Sequence, residues 1–203
     1  VIAMSIVEEK RKKKKKHIIE ALKNCLAVSV YSQVSLEDIA AESGLSKGGL
    51  RHYFPTREEL YMELIEDFFN QIQKDHIDAI KGLGSDGEDK AFISTLFGIE
   101  RFLYNEKNIK IFINLILFGF EEPKIMSPIR KFIRNHLELY VEIIKDSRKN
   151  SPAVNDDAIY IGRITQIVML CAGIFESIDP VAMDTPKLIE YTLKLFKMST
   201  DKE

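Results

Sequence analysis

Apolar residues recur along most of this chain with the period of an α-helix, and no stretch shows the sustained two-residue alternation of a strand. Over 17–30, Ile18, Ala21, Leu22, Cys25 and Leu26 fall at i, i+3, i+4, i+7 and i+8, which predicts an amphipathic first helix. After a connection at 31–34, Leu36, Ile39 and Ala40 begin a second helix, with Ser35 before them as N-cap and Asp38 three residues on. Gly44 stands just past that set, where a left-handed stop residue belongs. Ser46 then offers another N-cap, and Leu50 with Phe54 supplies the apolar pair of a short third helix that Pro55 ends. Thr56 and Glu59 form a new capping pair. They open a long helix over 56–81 through Leu60, Leu64, Ile65, Phe68, Phe69, Ile72, Ile77 and Ile80.

The remainder reads as helix throughout. GLGSDG at 82–87 is the clearest linker. Helical stripes follow over 92–104 and over 107–120, the latter apolar on most sides and so expected to be central. Glu121-Glu122-Pro123 should end that helix, and Ser127-Pro128 should open the next with a cap and a proline at its first position. Further helices are predicted from 156 or 157 to 177 and from 184 to about 198. The expectation is an all-α chain of about nine helices. Residues 1–55 form the N-terminal three-helix domain and 56–203 a helical body, the long helix joining them with the functional change near Phe69.

Two short helices joined by a glycine turn cannot bury a core alone, so the first helix should pack behind them. The result is a helix-turn-helix, whose second helix can enter a DNA major groove. On that helix Lys47 and Arg51 stand one turn apart; Arg51 suits a guanine edge with two parallel hydrogen bonds, and Lys47 suits a base or a phosphate. Gly48 and Gly49 cost a short helix roughly 1 kcal/mol each against alanine, which points to a place where bulk is unwelcome. Close approach to DNA and close packing on the preceding helix both account for that. Ser35, Ser46 and Thr56 serve as caps, and hydroxyls at helix N-termini can also bind phosphate. His52 fits core, base contact or phosphate contact.

The stretch Ser35-Leu36-x-x-Ile39-Ala40, Gly44-Leu45-Ser46-Lys47-Gly48, Tyr53-Phe54 and Arg57-Glu58-Glu59-Leu60 resembles the DNA-binding domain of the TetR family of transcriptional regulators. With the helix before it, the resemblance covers about a quarter of the chain at unbroken spacing. It implies a phosphate bond from the Tyr53 hydroxyl, with Arg57 as a further phosphate contact, and places Gly48 within the motif. Arg51 stands where many members carry an aromatic residue, so the base preference is this chain's own. The resemblance further implies a C-terminal body that pairs two copies through its last two helices and encloses a small-molecule pocket.

Charge sharpens the picture. The net charge is only −2, but residues 1–60 carry +3 and the remainder −5, so a polyanion meets the basic end first. Lys10 to Lys16 are seven consecutive basic residues. They read either as a solvated, frayed helix start or as an arm, including Lys12 and Lys13, that follows the phosphate backbone or enters the minor groove. Their mutual repulsion disfavours helix, and residues 1–9 are expected to lack structure. Val1 to Ala3 precede Met4, a natural start.

In the body, Ile164, Ile167, Val168, Cys171 and Phe175, with Leu188, Tyr191 and Leu195, are the candidate dimer interface. Candidate pocket residues are Phe69, Phe97, Arg101, Phe112, Phe118, His136, Tyr140, Arg163 and Gln166, apolar walls with a few polar groups. Asn114 is a further polar residue on an apolar stripe.

Rival chemistries find little support. The four histidines show no metal-ligand spacing, Asp75-His76 with Asp78 reads as a solvated cluster, and no nucleophile elbow or phosphate loop occurs. No enzyme, metal or cofactor is expected. No apolar run approaches the ~20 residues of a membrane span and no secretory signal precedes the first helix, so a cytoplasmic location is expected, with Cys25 and Cys171 as buried reduced thiols. The implied protein is a homodimeric, ligand-released repressor of a palindromic operator, its effector small and largely apolar. The alternative is a DNA-binding or nucleoid-type protein without an effector, whose body serves dimerisation or recruitment only.

Overall fold

The computed structural model describes residues 2–81, 93–94, 96–98, 105–147, 153–181, 187 and 191. Among these residues there is no strand. The helices are α1 (Ile2–Val28), α2 (Leu36–Glu42), α3 (Lys47–Tyr53), α4 (Arg57–Lys81), α5 (Glu106–Glu121), α6 (Pro123–Ser147) and α7 (Ala153–Ile178). Residues 93–94 and 96–98, with Lys187 and Tyr191, are also helical. The linker at 82–87 and most of the two helices expected over 92–104 and 184–198 lie outside the described residues.

The chain divides into two compact units, Val1–Asn70 with Lys110–Arg130, and Gln71–Ile109 with Lys131–Glu203. The first unit therefore extends past Pro55 to Asn70, close to Phe69, and recruits α5 and the start of α6. Its core is built from Ile18, Ile19, Leu22 and Leu26 of α1, Ile39 of α2, Leu50 and Phe54 around α3, and Leu60, Tyr61, Leu64 and Ile65 of α4, all buried.

Asn114 explains the recruitment of α5. A helix leaves its last four carbonyls without intrahelical partners. The Asn114 amide donates to Leu26 O at 3.0 Å and Ser29 O at 3.4 Å, at the end of α1, and to Lys110 O on its own helix at 3.0 Å. Its oxygen accepts from Tyr31 N at 2.7 Å. One buried side chain thus satisfies backbone groups more than eighty residues away in sequence. Around it Phe118 meets the rings of Tyr31 and Tyr61 at 5.2 and 4.7 Å, and Phe69 meets Phe112 at 5.9 Å.

Two boundaries differ from expectation. Helix α1 starts at Ile2, so the basic run and the residues before it are helical. Lysine, arginine and glutamate are good helix formers, and a helix radiates their charges to all sides. Glu9 also pairs with Lys13 at 3.6 Å across one turn. The second case is α6, which opens at Pro123 and carries Pro128 inside it. Pro123 already occupies the first helical position, so Pro128 falls one turn later and removes a single hydrogen bond.

The caps are those expected from sequence. Ser35 and Asp38 form the reciprocal box, Ser46 accepts from Gly49 N, and Thr56 accepts from Glu59 N. Gly44 has φ +63° with open space around its missing Cβ. Substituting Gly44→Ala therefore introduces backbone strain alone, and is expected to destabilise the chain by about 1–2 kcal/mol, read as a lowered urea midpoint at constant slope.

Candidate functional site

The exposed side of α3 gathers several polar side chains within one short helix. Lys47, Gly48, Arg51 and His52 are exposed, and Leu50 is turned fully inward. A Cβ on Gly48 would meet nothing nearer than the Ser46 hydroxyl at 4.0 Å. Packing on the preceding helix does not exclude a side chain there, so the emptiness faces outward. Gly49 differs: its Cβ would stand 3.3 Å from the Ser46 hydroxyl and 3.8 Å from Leu45. Tyr53 is half-buried, with its ring edge-on to His52 at 5.4 Å.

The charges on this face are not equivalent. Lys47 is ion-paired and hydrogen-bonded to Glu37 of α2, both side chains about half exposed. That bond from Lys47, with a backbone bond and the nearby Arg51 charge, holds the Glu37 carboxyl below its usual range. Lys15, inside the basic run, is also engaged: its ammonium lies 4.7 Å over the Phe54 ring and 3.3 Å from Glu63. Lys12 is exposed, as is Lys13 beside Glu9.

Arg57 corrects the sequence-based assignment. Its guanidinium turns into the first unit, donating to Tyr31 O and to the Tyr61 hydroxyl at 3.4 Å, and lies over the rings of Tyr61 and Phe118 at 5.2 and 5.6 Å. Its Nε is buried without a hydrogen-bond partner among the described residues. A group so engaged is not presented to a phosphate. Ser35, Ser46 and Thr56 are exposed and spend their hydroxyls as caps, which leaves their outward lone pairs open.

In the second unit the expected pocket residues part company. Phe69, Phe112 and Phe118 belong to the first unit as buried core, Phe118 packed edge-on against Tyr61 and Phe69 against Phe112. Arg101 lies outside the described residues. Arg163 is exposed and donates to Gln166 at 2.9 Å, while Gln166 donates to Ile133 O at 2.8 Å. Phe97, His136 and Tyr140 do come together, around two residues the sequence did not single out for this role, His76 and Ser94. His76 was expected at a solvated surface, yet it is 1% exposed. The missed signal is its place on the α4 stripe of Phe69, Ile72 and His76 at i, i+3 and i+7.

These residues form one buried polar chain. His76 Nε2 lies 2.8 Å from the Ser94 hydroxyl, which bonds Tyr140, and His76 Nδ1 lies 3.4 Å from His136 Nε2. Phe97 stacks on His76 at 4.9 Å and Phe132 leans on His136 at 4.4 Å. Burial pushes the His76 imidazole down to about 4; burial, with the neighbouring His76, pushes His136 down to about 3. Burial likewise lifts the Tyr140 phenol to about 12. All three are neutral at pH 7. His136 Nδ1 ends this polar chain, buried and without a hydrogen-bond partner among the described residues. Among the described residues no Asp, Glu, Lys or Arg is buried.

Among the described residues, helix α7 packs against α6 and, at Met169, against Gly98. Gly162 admits Leu137 and Val141 of α6, to which a Cβ would approach within 3.1 and 3.4 Å. On another face Tyr160, Ile164, Ile167, Phe175 and Ile178 are 51–72% exposed, with Val168 and Cys171 half-buried beside them. Tyr191 is 62% exposed; Leu188 and Leu195 lie outside the described residues. The segment Asp157–Ile178 is also long and apolar enough to cross a bilayer by length and composition, contrary to the reading from sequence. Its packing on α6 and its Arg163, Gln166 and Glu176 fit a helix of a folded unit better. Cys25 and Cys171 are free and half-buried rather than fully buried.

Residues 18–64 match the profile of the bacterial regulatory proteins, tetR family. The HTH-type transcriptional regulator YfiR of Bacillus subtilis is 31% identical over 61 residues, which is 30% of this chain and 30% of that protein, so the match spans under a third of the relative. Among solved structures, a transcriptional regulator of Pseudomonas aeruginosa PAO1 superposes with a TM-score of 0.82 at 13% identity, over 92% of this chain and 89% of its own. A transcriptional regulator of Saccharomonospora viridis, in complex with choline, gives 0.77 at 12% identity over 92% and 96%. At such identities the likeness is one of fold.

Proposed function

We propose that this chain, whose residues 18–64 match the tetR family of bacterial regulatory proteins, acts as a homodimeric repressor that binds a palindromic operator and is released by a small, largely apolar effector. The observation that carries the DNA-binding part is the outward face of α3, where Arg51 stands exposed one turn from Lys47 beside the open surface over Gly48. One seven-residue helix reads few bases, and two related by a two-fold axis read a palindrome. The exposed apolar stripe of α7 is the surface for that pairing. Ser35, Ser46, Tyr53 and Thr56 are the proposed phosphate contacts, with Lys12 and Lys13 reaching flanking phosphates from the helical arm.

Support for an effector comes from the second unit. The His136 Nδ1 atom, buried beside Phe132 and Tyr140 and without a hydrogen-bond partner among the described residues, offers a hydrogen bond in uncharged surroundings, which favours a largely apolar molecule. Helices α4, α5 and α6 each run from one unit into the other, and effector binding reaches the head through them if effector and operator prefer different arrangements.

Selecting bound duplexes from random DNA tests the reading. The wild-type chain should enrich a palindrome, and Arg51→Ala should lose preference at one base position per half-site, a discrimination of about 1–3 kcal/mol. An unchanged consensus would remove Arg51 from base reading. Screening small apolar molecules for release of the selected duplex then tests the effector.

A further inference from the structure

We infer that Glu37 sets the specificity of the DNA-binding face by withholding Lys47 from phosphates, which leaves Arg51 as the dominant cation of that face. This rests on the DNA-binding reading above and adds a role for an acidic residue that the reading does not use. Glu37 lies in the first turn of α2 and Lys47 at the first position of α3, so their pair bridges the N-termini of the two helices of the motif. The carboxylate belongs to neither core nor cap: Ser35 and Asp38 complete the α2 box without it.

A carboxylate on the DNA-facing side repels the backbone, and its partner is a cation that would otherwise bind it. Each phosphate neutralised by lysine or arginine steepens the fall of log affinity with log salt by about 0.9. Such contacts bind every duplex alike and so dilute discrimination by base-reading groups. Pairing Lys47 with Glu37 removes one of them. The pair is half exposed, so it is weak in water, at roughly 0–1 kcal/mol, and can exchange as DNA arrives. Arg51 contributes to the electrostatics of Glu37 without the direct bond that Lys47 makes.

The experiment titrates the full-length chain with two 24-base-pair duplexes, one carrying the selected sequence and one scrambled, over a series of salt concentrations. Glu37→Gln should raise affinity for the scrambled duplex about two- to fivefold near 0.1 M salt and steepen its slope by up to about one unit, lowering the ratio of specific to non-specific binding. In a Lys47→Met background the same substitution should do much less. Two results overturn the inference. One is an unchanged slope and ratio in Glu37→Gln; the other is an equal gain with and without Lys47, which would make Glu37 a general repulsive charge. Circular dichroism confirms that the variants fold, since neither residue is buried. Absence of binding to any duplex by the wild-type chain would instead refute the DNA-binding reading itself, so the two failures are distinct.

Discussion

Placing carboxylates in the exposed stripe of α7, as Ile167→Asp with Phe175→Asp, should leave the chain monomeric and lower its affinity for a palindromic duplex by about two to four orders of magnitude. Both side chains are more than half exposed in the single chain, at 53% and 68%, so the isolated fold loses little by the change. In the proposed pair of chains the same positions would be core. A carboxylate without a partner there costs several kcal/mol, and a two-fold interface carries every substitution twice. The loss on DNA arises because the second head no longer binds as a tethered neighbour of the first. Sedimentation velocity reads the mass and fluorescence anisotropy reads the affinity, against both the palindrome and an isolated half-site. Binding to the half-site should be unchanged. A variant that sediments as a dimer, or one that loses half-site binding equally, rejects α7 as the pairing surface.

The N-terminal motif was legible because its signals are local. Ser35 with Asp38, Ser46 with Gly49, and Thr56 with Glu59 act across three residues, and Gly44 acts on its own backbone. What was missed has its cause far away in the chain. Arg57 looked like a surface cation at a helix start, and nothing nearby in sequence reveals that Tyr31 O and the Phe118 ring receive it. Asn114 stood out as polar on an apolar helix, but its task of closing the end of α1 follows only from the packing of α5 there. The aromatic pocket candidates divide between the two units for a related reason: periodicity tells which face of a helix is covered, not which neighbour covers it. Phe69 and Phe97 therefore look alike in sequence and fall in different units. The lysine run shows the converse error, an electrostatic argument that ignored how far apart a helix holds its side chains.

The buried histidine pair links this packing to pH. Acidifying from pH 7 to pH 5 should lower the stability of the chain by several kcal/mol, with a slope approaching two protons. In the unfolded chain each histidine titrates near 6.5, so it takes up a proton over this range. Folded, His76 and His136 are held down to about 4 and about 3, His76 by burial and His136 by burial and the neighbouring ring, and both stay neutral. The unfolded state thus binds more protons below pH 6.5, and stability falls as pH falls until the folded values are reached. Each such proton is worth about 1.4 kcal/mol per pH unit, so the pair accounts for about 4 kcal/mol at pH 5, a large share of the 5–15 kcal/mol typical of a domain. The window excludes most of the carboxylate contribution, because carboxyls of the unfolded chain take up protons at about pH 4; Glu37 and Asp38, held below their ordinary range in the folded chain, add their loss of stability below pH 5. Urea midpoints at half-unit intervals of pH measure the slope. Replacing His136→Gln should reduce it by about one proton while Ser94 continues to hold His76, and His76→Gln should do the same with greater loss of stability, since it breaks the chain in the middle. A slope between pH 6.5 and 5 that neither substitution alters would mean that the two rings are open to water and charge freely in the folded protein.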